Sequence, residues 1–120
     1  NVLSTLLLLD YSQKHGCRKF IYGSTMSVYG IQKDMAVVEE NVTNPISFYA
    51  VGKLASENYL KIYNNLGITT IALRLFNAYG PGQNMGNLKQ GMVSIFLAQA
   101  METNHIFVKG VLIDTEILSI

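Results

Sequence analysis

The chain has 120 residues, 49% of them hydrophobic and 14% charged, with a net charge of +1 and a single cysteine. That composition suits one compact unit or part of one, offers no basic surface for nucleic acid or an anionic membrane, and excludes an internal disulfide. The longest apolar run, Leu6 to Leu9, is too short to span a bilayer and follows no signal-peptide layout, so a cytoplasmic location is expected.

In chain order, the first element is a helix running from Val2 and closed by Gly16. Its apolar residues surround most of the circumference, which predicts burial on more than one side. Arg18 to Ser24 holds the run Phe20-Ile21-Tyr22, a strand expected to be covered on both faces. Residues 26 to 44 are mixed and polar, a long connection of the kind that carries function. Pro45 and Ser47 open a helix through Leu66 that Gly67 closes, and Ile68 to Leu75 is the next strand. Gly80, Pro81, Gly82 and Gly86 punctuate a loop, Gln90 to Thr103 is a third helix, and Ile106 to Lys109 a short strand. Helix and strand alternating in this way predict an α/β fold with a parallel sheet. Cys17 is expected as a small buried or half-buried thiol without a metal site. His15 and His105 are expected at the surface, Met92 and Met101 in the core.

Tyr49 and Lys53, four residues apart, share a face near the start of the second helix, which puts an ammonium beside a phenol. A cation there favours the phenolate, a base able to take a proton from a sugar hydroxyl while hydride leaves the adjacent carbon. The hydroxyl of Thr25, or less readily that of Ser24, could hold the same substrate oxygen. Spacing alone carries little weight. Seven tyrosines and seven lysines in 120 positions give roughly 0.4 such pairs by chance. A second pair, Tyr29 and Lys33, lies in a polar connection around Gly30 and reads as such a coincidence.

Four motifs in order decide the matter. Asn1-Val-Leu-Ser-Thr5, Phe20-Ile-Tyr-Gly-Ser-Thr-Met-Ser-Val-Tyr-Gly30, Tyr49-Ala-Val-Gly-Lys53 and Leu73-Arg-Leu-Phe-Asn-Ala-Tyr-Gly-Pro-Gly-Gln83 resemble the extended short-chain dehydrogenase/reductases that act on nucleotide sugars, the NAD-dependent epimerase/dehydratase family. Ser4 departs from that pattern, standing where the family has glycine. The resemblance implies part of a Rossmann-type doubly wound parallel sheet. The glycine-rich strand-turn-helix that receives the dinucleotide pyrophosphate is not in this sequence. It assigns residues 1–110 to a partial dinucleotide-binding and catalytic domain that includes the start of the substrate region.

It also implies roles. Tyr49 is the acid/base, Lys53 tunes it and binds the nicotinamide ribose, and Thr25 is the hydroxyl partner. Asn1, Tyr49, Lys53 and Phe76 approach an NAD cofactor, NADP being the alternative. Thr25, Tyr49 and Asn77 meet a nucleotide-diphosphate sugar. No metal is implied, and the intact protein is expected to be a homodimer through the helices at Leu3 to Lys14 and Tyr49 to Leu66.

The turn after Thr25 narrows the reaction. Related 4,6-dehydratases carry Asp-Glu there, whereas this chain has Met26 and Ser27, which cannot move protons. The resemblance therefore favours a fragment of a nucleotide-sugar 4-epimerase. A reductase or dehydratase of the same family, or an inactive remnant acting at most as an interaction module, are the alternatives.

Residues 111–120 leave the pattern. Permitted codons for Val111 to Ile120, reread from their third base, encode Ile-Asn-Arg-Tyr-Arg-Asp-Phe-Ile-Tyr, a family-like segment with a substrate-gripping arginine. The tail is therefore expected to be a frameshift product. The 120 residues alone are expected to be inactive and poorly soluble, with an uncovered sheet face.

Overall fold

A computed structural model describes residues 2–32, 36–84, 86 and 92–106, with the backbone alone at Met92. The elements are α1 (Val2–Lys14), β1 (Lys19–Thr25), a short 3-10 helix (Met26–Tyr29), α2 (Phe48–Asn65), β2 (Thr69–Leu75) and α3 (Met92–Thr103). The chain divides into two compact units, Asn1–Phe76 and Asn77–Ile120. The strand expected over Ile106 to Lys109, and the tail from 111, lie outside the described residues apart from Ile106.

In the first unit β1 and β2 pair in parallel, from Lys19 opposite Thr69 to Thr25 opposite Leu75. A parallel pair needs a crossover, and α2 supplies it. Ser47 starts α2 because its backbone is extended and its Oγ accepts from the Ala50 amide at 3.2 Å, satisfying one of the open N–H groups of the first turn. The helix ends at Leu66, and Gly67 takes φ +101°, which an L side chain would resist. Thr70 then ties β2 back to α2, its Oγ1 donating to the Leu60 carbonyl at 2.9 Å.

Burial alternates along both strands. Phe20, Tyr22, Ser24, Thr70, Ala72 and Arg74 are the more covered set, with α2 packed against the sheet. The opposite side holds Ile21, Ile71, Leu73 and Leu75, which are 42–64% exposed. The expectation of a β1 covered on both faces is thus corrected, since among the described residues of the first unit helix packs on one face only. The uncovered face expected of the chain is present.

Helix α1 also differs from expectation. It lies against α2, and a single neighbouring helix shields a single stripe, here Thr5 and Leu9, leaving Leu3, Leu7, Leu8 and Tyr11 exposed. Cys17 is exposed rather than buried, because it sits in the turn after Gly16 with its amide bonded to the Ser12 carbonyl. Met101 is exposed near the end of α3, where Ser94 and Ala98 form the covered stripe. His15 and His105 are exposed as expected. Helix α3 is described from Met92 to Thr103, and the expected start at Gln90 lies outside the described residues.

Candidate active site

The cap at Ser47 fixes where α2 begins and so puts Tyr49 in its first turn and Lys53 one turn later. Tyr49 is 50% exposed. Lys53 Nζ lies 5.7 Å from the centre of the Tyr49 ring and 4.7 Å from that of Tyr22, and donates to the Gly23 carbonyl at 2.7 Å. Three contacts thus hold one ammonium between the helix and the end of β1. The Tyr22 hydroxyl beneath it is buried, with no hydrogen-bond partner among the described residues.

Two residues beyond Gly23, Thr25 ends β1 and caps the 3-10 helix. Its Oγ1 accepts from the Ser27 amide and donates to Ser27 Oγ, each at 3.2 Å. The neighbouring Ser24 Oγ is bonded to Glu57 instead. Strand alternation sets the two neighbouring hydroxyls apart: Ser24 turns toward α2 and Thr25 does not.

The sequence reading missed Glu57. It stands on the Tyr49–Lys53 face of α2, four residues past Lys53, and is only 3% exposed. Arg74 grips it with Nη2 to Oε2 at 2.8 Å and Nε to both oxygens at 3.1 and 3.2 Å. Burial opposes ionisation of Glu57, but the hydrogen bonds from Arg74 and Ser24 and the arginine charge outweigh it and hold the carboxyl below its ordinary value. The same hydrogen bond to Glu57 raises Arg74 against the smaller pull of burial, with Tyr29 assisting. A signal was available in the sequence: Arg74 interrupts an apolar strand, and a strand arginine facing a helix needs an acid there.

Arg74 extends the cluster to the loop. Nη1 donates to Tyr29 Oη at 2.9 Å and to the Glu39 carbonyl at 3.1 Å, and the guanidinium lies 4.8 Å from the Tyr29 ring centre. Tyr29 thus belongs to this cluster, and Lys33 lies outside the described residues. Gln32 binds the Tyr29 and Val42 carbonyls and accepts from Asn41, closing the loop. Gly30 has φ +64°, and a Cβ there would overlap the Asn44 carbonyl, so glycine is required.

A cavity of about 480 Å³ opens beside the 3-10 helix, lined among others by Met26, Ser27, Gly30, Ile46, Ser47 and Phe76. Phe76 is 56% exposed at the end of β2. Of the remaining expected site residues, Asn1 lies outside the described residues, and Asn77 is exposed at the start of the second unit. Among the described residues no group of three or more acidic, histidine or cysteine side chains could hold a metal. No helix among them is long and apolar enough to cross a membrane.

The chain is 33% identical over 112 residues to a putative UDP-glucose 4-epimerase of Methanocaldococcus jannaschii, covering 92% of this chain and 36% of that protein. The UDP-N-acetylglucosamine 4-epimerase of Methanobrevibacter ruminantium, solved with UDP-N-acetylmuramic acid, superimposes with a TM-score of 0.77 at 28% identity, covering 84% of this chain and 33% of that one. The UDP-glucuronic acid 4-epimerase of Bacillus cereus, solved with NAD, gives a TM-score of 0.71 at 33% identity, covering 84% and 31%. The chain therefore spans about a third of the length of these relatives, and its parallel strands and helices are part of a Rossmann-type fold. The profile of the NAD dependent epimerase/dehydratase family matches residues 1–115, so with Tyr49, Lys53 and Thr25 disposed as described, the chain belongs to that family.

Proposed function

We propose that this chain is the central part of an NAD-dependent nucleotide-sugar 4-epimerase. The observation that carries the reading is Lys53, whose ammonium stands beside Tyr49 and is bonded to the Gly23 carbonyl two residues before Thr25. The relatives compared above are named for UDP-sugars, so a UDP-hexose is the substrate class.

The donors present fit a nicotinamide ribose. An ammonium and a phenol stand at the C-terminal ends of parallel strands, where open α/β sheets bind their ligands. Tyr49 and Lys53 would hold the ribose, and Phe76 and Asn1 would lie against the cofactor. NAD, when bound, supplies a reversible hydride acceptor at the sugar carbon. Tyr49 takes the proton of the 4-hydroxyl as that carbon is oxidised and returns it after the sugar has turned over. Lys53 places its positive charge beside the Tyr49 ring during the transfer, and Thr25 holds the reacting oxygen. Asn77 would donate to the substrate diphosphate. Met26 and Ser27 offer no acid or base beside the sugar, which favours epimerisation over elimination.

The exposed Leu3, Leu7 and Tyr11 of α1 fit a homodimer interface, which sedimentation of the full-length protein would test. The function itself is tested by supplying full-length protein with NAD and UDP-glucose and measuring UDP-galactose. Tyr49→Phe should lower kcat by about 10²–10⁴-fold. Near-full activity in that variant would end the assignment.

A further inference from the structure

Ser24 and Arg74 are partners in the strand register, and both are bonded to one carboxylate, Glu57. Glu57 is nearly inaccessible, and the chemistry proposed above makes no use of it. Buried ion pairs add little to stability, because apolar side chains of similar volume do as well, so burial alone does not explain the pair. Its position does. The next residue after Ser24 is Thr25, and two residues after Arg74 is Phe76, so one anchor on α2 holds the ends of both strands where the proposed site lies. The anchor is also on the same helical face as Tyr49 and Lys53, which stand two turns and one turn before it. Arg74 passes the restraint on to Tyr29 at the end of the 3-10 helix that Thr25 caps.

We propose that Glu57 is a positioning residue. Through Ser24 it sets the direction of the Thr25 hydroxyl, and through Arg74 it fixes the 3-10 helix that follows. The inference rests on the reading of Thr25 as the hydroxyl partner of the sugar. A reacting group misplaced by about 1 Å costs on the order of 100-fold in rate, so the restraint has a measurable consequence.

The test uses the full-length protein with Ser24→Ala, Ser24→Thr, Glu57→Gln and Thr25→Val, alone and with Ser24→Ala and Thr25→Val combined. Ser24→Ala keeps the Glu57–Arg74 pair and is the variant that folds most readily. It should lower kcat about tenfold with KM for UDP-glucose changed less than about twofold, as expected when a transition-state contact is loosened. Ser24→Thr, which keeps the hydroxyl, should restore most of the rate, and Glu57→Gln should lose more than Ser24→Ala. In the Thr25→Val background Ser24→Ala should cost nothing further, because its effect travels through Thr25. Hydrogen exchange at the Ser27 amide, which bonds to Thr25 Oγ1, should quicken in Ser24→Ala while α2 amides do not change. Unchanged Ser27 exchange, or fully additive rate losses, would overturn the inference. A wild-type protein without epimerase activity would refute the proposed function instead, and the exchange rate at Ser27, which needs no turnover, would still decide the role of Glu57.

Discussion

The two faces of the β1–β2 sheet behave as opposites. The face toward α2 is polar at its C-terminal end, where Ser24 and Arg74 converge on Glu57, and Thr70 bonds the Leu60 carbonyl near the N-terminal end. The other face carries Ile21, Ile71, Leu73 and Leu75 with much of their surface open. A sequence alternating every second residue predicts which side chains share a face, but not which face receives a helix. Here the face with more aliphatic side chains is the open one, and the face bearing the Arg74 guanidinium is the covered one. Directional bonds, rather than apolar area alone, hold the strand ends to α2, and the proposed site lies at those ends.

The largest effect should come from removing the shared anchor. Glu57→Ala leaves Arg74 partly buried and unpaired and should destabilise the full-length protein by about 3–5 kcal/mol, read from denaturant unfolding. A cost below about 1 kcal/mol would make the polar face as dispensable as a surface ion pair. On the opposite face, Ile71→Ala in the full-length protein should cost about 2 kcal/mol, since parallel sheets are covered on both sides. A negligible cost would mean that water bathes this face there too, and the contrast between the faces would be intrinsic to the fold.

The same contrast has a pH dependence. The Glu57 carboxyl is held below its ordinary value, so its stabilising contribution is complete above the unfolded carboxylate value of about 4.3 and is lost as pH falls through the lowered one. Glu57→Gln should flatten stability over that acidic window, whereas Ile71→Ala should shift the whole curve without changing its slope. The smallest effect, about 1 kcal/mol, is expected of Ser47→Ala, which removes one cap bond from α2 and touches neither face. Its thermal midpoint should fall with the pH profile unchanged.

Helices and strands were legible because their signals are local. Ser47 and Gly67 bound α2, Gly16 closes α1, and the β-branched run from Thr69 marks β2. Tyr49, Lys53 and Thr25 were legible because ordered motifs carry them. Four expectations failed for a common reason: the coverage of β1, the coverage of α1, the burial of Cys17 and the core position of Met101. Each depended on which neighbours arrive, and hydropathy records a preference for burial without supplying the neighbour. Glu57 escaped notice because its partners are 33 and 17 residues away in the chain, beyond any local pattern.

What the sequence by itself determined is the alternation of elements, the boundaries set by caps and glycines, and the presence of the tyrosine, lysine and threonine on which the proposed hydride-transfer chemistry rests. Local backbone preference and four-residue helix spacing act within a few residues, and they are written directly in the chain. Only the tertiary structure decided that Ser24 turns to Glu57 while Thr25 stands at the end of β1, and that Lys53 reaches the Gly23 carbonyl thirty residues away. It also decided that Arg74 joins β2, α2 and the loop at a single carboxylate. Those assignments depend on strand register and on the seating of α2 over the strand ends, and register is fixed by pairing between distant segments.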